Sequence, residues 1–139
     1  FSPFSFYLPT CAAGLYFKTS SFWIRVAVPV LCMILFVVHP VGQEAWYYAA
    51  YWLIPVALYI AQSQTAFATA LGATFVQHAV GSVLWLYVMP TTATLWASLM
   101  PIVLVERLVC ALGMVASIYA VSFVRSFKVM NPQLQDVNI

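Results

Sequence analysis

The sequence predicts an all-α, polytopic transmembrane helical bundle of about five spans, and three observations predict it. Hydrophobic residues make up 65% of the 139 positions and charged residues only 6%, whereas about a quarter of a soluble domain is charged. Apolar runs of near-spanning length recur along the chain, separated by polar or Pro/Gly turns at 18–21, 39–44, 62–65 and 89–92. Eight prolines and five glycines fit that class, because neighbouring helices re-satisfy backbone groups freed by a helix break. The net charge of +2 comes from five basic and three acidic residues, too few and too scattered for a nucleic-acid footprint.

The first expected span, 4–17, holds Pro9 and Gly14. It is at the lower limit of what crosses roughly 30 Å of hydrocarbon at about 1.5 Å per residue. The chain opens on FSPFSFYLPT with no basic n-region or small-residue cleavage site to mark a signal peptide, and a further helix upstream of Phe1 is expected. After the Lys18–Ser21 break, the second span covers 22–38, with Arg25 near its start. The third, 45–62, carries a dense aromatic end of the kind that forms an interfacial belt. Yet Tyr48, Tyr51, Trp52, Pro55 and Tyr59 follow i, i+3, i+4, i+7, i+11 spacing and share one helical face. A belt rings a helix at one depth, whereas this stripe runs about 16 Å along it, so Tyr59 argues for an inward aromatic wall.

The fourth span is 66–88, closed by Met89-Pro90-Thr91-Thr92. Residues 92–100 are expected to form an interfacial helix with Trp96 near the outer surface. A break at Pro101 is preferred to the alternative of one long kinked helix from Thr92, because proline suits a first helical position and disfavours the α region in the residue before it. The last span is then 101–123, followed by a polar tail over 126–139. Lys18 and Arg25 fall on the same side of five spans as Arg125 and Lys128, and the positive-inside rule makes that side, with the C-terminus, cytoplasmic.

Polar residues within these spans are the candidates for function. Translocon-type scales charge roughly 2.5–3.5 kcal/mol for one Asp, Lys or Arg at a membrane helix centre, so such residues need partners or water. On the fourth span Ala66, Ala70, Ala73, Thr74, Gln77 and Gly81 make a small-residue strip suited to close helix packing. His78 and Ser82 lie beside it, with His78 about 16 Å from the outer end of its helix, close to the midplane. Glu106 and Arg107 point about 100° apart on a helix and so each needs its own partner. Glu106, Cys110, Gly113 and Ser117 form a narrow face for packing.

Cys11, Cys32 and Cys110 each fall in an apolar run without CxxC spacing, and are expected to be buried, inert thiols. His39, Glu44, His78 and Glu106 lack metal-ligand spacing, and no metal or other cofactor is expected. Ser82, His78 and Glu106 lack a nucleophile elbow. No P-loop is present, so any ATP-driven activity requires another chain.

From Phe22 to Arg125 this small, very hydrophobic chain, with its aromatic and polar intramembrane residues, is similar to the substrate-binding membrane subunits, or S components, of energy-coupling factor vitamin transporters. That resemblance implies a helical bundle binding a micronutrient near its outer face, beside a transmembrane coupling partner. Family members typically have six helices and carry an Ala-x-x-x-Ala contact on the first, whereas Ala66-x-x-x-Ala70 is on the fourth span here. No family residue is carried over.

Three functions follow as expectations. A small-solute binding or transport subunit requires His78, Glu106, Arg107, Gln77 and Ser82 to converge on one cavity beside the Tyr48, Tyr51, Trp52 and Tyr59 stripe. An accessory subunit of a larger membrane complex requires those groups to pair off, with membrane lipids and other subunits as partners. An intramembrane enzyme requires Ser82 within reach of His78 and open to an entrance.

Overall fold

The computed structural model describes residues 4–130, and every element in that range is helical. Helix α1 spans Phe4–Lys18. Helix α2 opens with a wide π turn at Trp23–Ala27 and continues over Val28–Val38. Helix α3 is the short Pro40–Glu44. A 3₁₀ stretch, Trp46–Trp52, runs into α4 at Leu53–Ile60. Helix α5 spans Ala66–Val88 and α6 spans Ala93–Met130.

The boundaries have local causes. Thr65, in an extended conformation, caps α5 by accepting a hydrogen bond from the Ala68 N–H at 3.1 Å. Helix α4 ends in a Schellman motif: Gln62 has φ 52°, its N–H reaches the Tyr59 carbonyl, and the Ser63 N–H reaches the Leu58 carbonyl. At the other end, extended His39 and then Pro40 stop α2 and start α3. Gly42 backs directly onto the Phe36 carbonyl, leaving no room for a Cβ. The π turn of α2 lies just ahead of Pro29, which has no N–H to give to the preceding turn.

Helix α5 is the hub, in contact with α1, α2, α4 and α6. One core is aromatic. Phe36, fully buried, meets Trp52 and Trp96 edge-on at 5.3 and 5.1 Å and stacks on Tyr48 at 5.6 Å. The other joins α1 to α5 through Ala13, Tyr16, Ala73 and Val76. Tyr48 and Tyr51 fix the direction of α5 against α6: Tyr48 meets His78 and Trp96, whereas Tyr51 meets Phe75 and the Met100 carbonyl. As α5 is followed backward α6 runs forward, so the two are antiparallel.

Two expectations about the last third of the chain are corrected. Helix α6 runs unbroken through Pro101 for 38 residues, so neither a break nor a separate interfacial helix over 92–100 exists. Proline removes a single ladder hydrogen bond, and the loss falls where Trp96, Leu99, Met100 and Val103 are packed into the aromatic core and Tyr51 donates to the Met100 carbonyl at 3.1 Å. Trp96 is accordingly 2% exposed, its Nε1 donating to Thr91 Oγ1 at 3.2 Å, and is a core residue. The helix also continues past Arg125 to Met130, so the expected tail begins as helix; residues 131–139 lie outside the described residues.

Two described helices are long and apolar enough to cross a membrane, Ala66–Val88 and Ala93–Phe127. They differ in setting. Of the most apolar window in each, 44% is buried inside the molecule for α5 and only 11% for α6. Helix α5 is a core element, and α6 presents most of its apolar surface outward.

Candidate functional site

A cavity of about 540 Å³ lies between α5 and α6. Successive turns of α5 supply Gln77, His78, Gly81, Ser82 and Trp85, which recur at helical spacing and so share a face. Helix α6 supplies Trp96, Leu99, Val103, Glu106 and Arg107 by the same periodicity. Tyr48 enters from the 3₁₀ stretch and Pro9 from α1. Gly81 keeps the α1 side open, its added Cβ meeting Pro9 only at ordinary contact, 3.7 Å.

The polar groups form two clusters. The Tyr48 hydroxyl lies 2.7 Å from His78 Nε2, and the Ser82 hydroxyl lies 3.3 Å from the same nitrogen. The second cluster is the Glu106–Arg107 pair, with Arg107 Nη2 donating to Glu106 Oε1 at 2.7 Å. The expectation that each charge needs a separate partner is therefore corrected. Although their Cβ atoms diverge, the long arginine stem brings the guanidinium back to its neighbour. The pair is lopsided: the Arg107 side chain is 13% exposed and that of Glu106 53%. Arg107 Nε is buried without a partner among the described residues.

Six of the sequence-derived candidates, Tyr48, Gln77, His78, Ser82, Glu106 and Arg107, line one cavity. The other three do not. Tyr51 packs behind Tyr48, and Trp52 is buried in the aromatic core with its Nε1 unpaired. Tyr59 packs on Phe22 and borders a different cavity. The supposed continuous stripe is split because Trp46–Trp52 winds as a 3₁₀ helix, at about three residues per turn, before α4 begins.

The small-residue strip is also divided. Ala70 and Ala73 are fully buried and Ala66 is partly so, but it is Gly72, outside the strip, that lies directly against the Tyr16 ring of α1. Gly113 has nothing within reach of an added Cβ and makes no packing contact there among the described residues. Among the cysteines, Cys32 is buried, Cys110 is half-buried and Cys11 is exposed, which corrects the expectation for Cys11.

Sequence reasoning missed Trp85, Trp96, Leu99, Val103 and Pro9 as lining residues. The signal for the α6 set was present: residues 96, 99, 103, 106 and 107 fall on one face, but only if the helix is not cut at Pro101.

This arrangement suits binding better than hydrolysis. Tyr48 holds the closer claim on His78 Nε2, so that nitrogen is not reserved for Ser82. Glu106 is engaged by Arg107 rather than orienting the imidazole. What remains is a concave, mostly apolar wall, three of its residues (Tyr48, Trp85 and Trp96) aromatic, with a few convergent polar groups, the usual composition of a small-molecule site. No protein-family model, curated protein or solved structure matches the chain.

Proposed function

We propose that this chain is a multi-pass integral membrane protein whose α5–α6 cavity binds a small solute, as a binding or transport subunit. The observation carrying the reading is the convergence of Tyr48, Gln77, His78, Ser82, Glu106 and Arg107 on one cavity of about 540 Å³. A cavity of that size is in the range that holds a drug-sized molecule. Its aromatic residues suit a planar or ring-bearing solute, and its hydroxyl, imidazole, amide and guanidinium groups suit a solute with both donors and acceptors. Since Glu106 and Arg107 neutralise each other, a solute without net charge fits at the lowest desolvation cost.

Five crossings place the turns near Lys18–Ser21 and Gln62–Thr65, with the end of α6, on the cytoplasmic side. Lys18, Arg25 and Arg125 support that side by the positive-inside rule. The resemblance to vitamin-transporter S components is in keeping with this reading. An accessory-subunit reading draws on a different observation, the outward apolar surface of α6, where Val105, Val109, Leu112, Tyr119 and Phe123 are exposed. Lipid covers such a surface as readily as a partner helix does.

The test is a thermal-shift screen of small solutes on the purified protein in nanodiscs, repeated on His78→Ala and Glu106→Gln. Loss of a hydrogen bond to a buried polar group weakens binding about tenfold or more. A solute that stabilises the native chain and loses that effect in both folded variants supports the site. Variants that shed a co-purifying subunit, with no solute effect at all, favour the accessory role instead.

A further inference from the structure

A second cavity, of about 340 Å³, lies at the opposite end of the bundle from the His39–Glu44 turn, where α1 gives way to α2 and α4 to α5. Its polar lining is Ser20, Arg25, Tyr59, Gln62, Ser63 and Gln64. Nothing in the solute reading uses it.

Arg25 is the anomaly. It is only 6% exposed, yet it carries a full charge that guanidinium does not give up. Its Nε donates to the Thr19 carbonyl at 3.1 Å and its Nη2 to the Tyr16 carbonyl at 3.3 Å, and the guanidinium stands 4.5 Å from the centre of the Tyr16 ring. These contacts cap the end of α1 and orient the group. They supply partial charges only. The chain has three carboxylate side chains. Glu44 is in α3 at the far end, Glu106 is held by Arg107, and Asp136 lies outside the described residues. Among the described residues no carboxylate pairs with Arg25, and its Nη1 has no hydrogen-bond partner.

A buried cation without a counter-charge is costly unless an anion arrives to pair it. The cavity beside it offers hydroxyls and amides, which donate to an anion, and, among the described residues, no competing negative group. The geometry points to a phosphate-binding site: we propose that this cavity takes a phosphate group, with Arg25 as its charged anchor and Ser20, Ser63 and Gln64 as neutral donors. Arginine suits this role because its planar fork matches phosphate oxygens. The flanking aromatics Phe22 and Trp23 are exposed, as expected where a helix end meets lipid headgroups. The phosphate could thus belong to a phospholipid headgroup or to a free anion, and the two sources are separable.

The protein carrying Asp136→Asn, so that this carboxylate cannot fill the cavity, is examined with two probes. One is phosphatidylglycerol titrated into phosphatidylcholine nanodiscs, read by native mass spectrometry of the released protein. The other is inorganic phosphate against chloride at equal ionic strength, read by thermal melting. Saturable retention of phosphatidylglycerol alone assigns a lipid headgroup, phosphate protection alone assigns a free anion, and both assign the phosphate group irrespective of source. Gln64→Glu, at an exposed position that caps nothing, places a carboxylate in the cavity and is expected to weaken either effect about tenfold, the scale of one charge-assisted hydrogen bond. Arg25→Gln is expected to do the same, but it also removes the α1 cap, so Gln64→Glu carries the decision. Neither probe binding, or Gln64→Glu binding as well as its parent, overturns the proposal.

Discussion

Tyr16 meets Gly72 so closely that the hydroxyl occupies the space a Cβ would need, and that hydroxyl is buried without a partner among the described residues. Close approach of α1 and α5 thus depends on a missing side chain on one helix and an unsatisfied polar atom on the other. Gly72→Ala is expected to destabilise by about 1–3 kcal/mol through overpacking. Tyr16→Phe removes an unpaired buried group and is expected to be neutral or stabilising. In the double variant the ring has more room, so the two effects should not add. Melting curves of the four proteins in one detergent check this; strict additivity would mean that the ring and the glycine do not meet. The importance of Gly72 was not legible in the sequence, where the Ala66–Ala70–Ala73 spacing drew attention instead. Spacing identifies a face that can be approached, but only the partner's shape decides which residue on it is approached most closely. Arg25 was likewise read as an orientation signal, because the α1 carbonyls it caps are six and nine residues away in sequence.

At the scale of elements, local chemistry spoke clearly at some ends and misleadingly at one. The turns at 39–44 and 62–65 were readable because Pro, Gly and polar residues act within a few positions, although the Thr65 cap and the short helix that starts at Pro40 emerge only in the structure. Pro101 was read as a stop, and α6 passes through it because the cost of one lost hydrogen bond is offset by packing that no local pattern reveals. Pro101→Ala is therefore expected to leave helical circular dichroism unchanged and to raise stability, by about 1 kcal/mol or more once the lost ladder bond is restored. Tyr51→Phe, which removes the donor to the Met100 carbonyl, is expected to cost about 1 kcal/mol. A marked gain of helix in Pro101→Ala would show that the native chain is broken there. The aromatic stripe of 45–62 failed for a related reason: i, i+3, i+4 spacing presumes an α-helix, and seven residues of 3₁₀ winding send Tyr48 to the α5–α6 cavity and Tyr59 to the cavity beside Arg25.

For the whole molecule, the helical class was legible from composition alone, since a chain with 6% charged residues leaves few alternatives to buried or lipid-facing helices. Convergence of His78 with Glu106 and Arg107 was an expectation of the solute-binding reading, and the short 89–92 connection, which sets α5 and α6 side by side, brings these residues to one cavity. The topology proposed for the bundle predicts that exposed Gln43 and exposed Gln64 face opposite compartments. With native cysteines replaced, Gln43→Cys should react with a membrane-impermeant maleimide from outside, and Gln64→Cys only after permeabilisation. Matching accessibility would contradict five crossings.

The most direct measurement is a side-chain-resolved structure of the assembly purified from its native membrane. Non-protein density between α5 and α6, in contact with His78, Tyr48 and Arg107, is the predicted result. A cavity closed by side chains of another subunit, with no density of its own, would contradict the solute site.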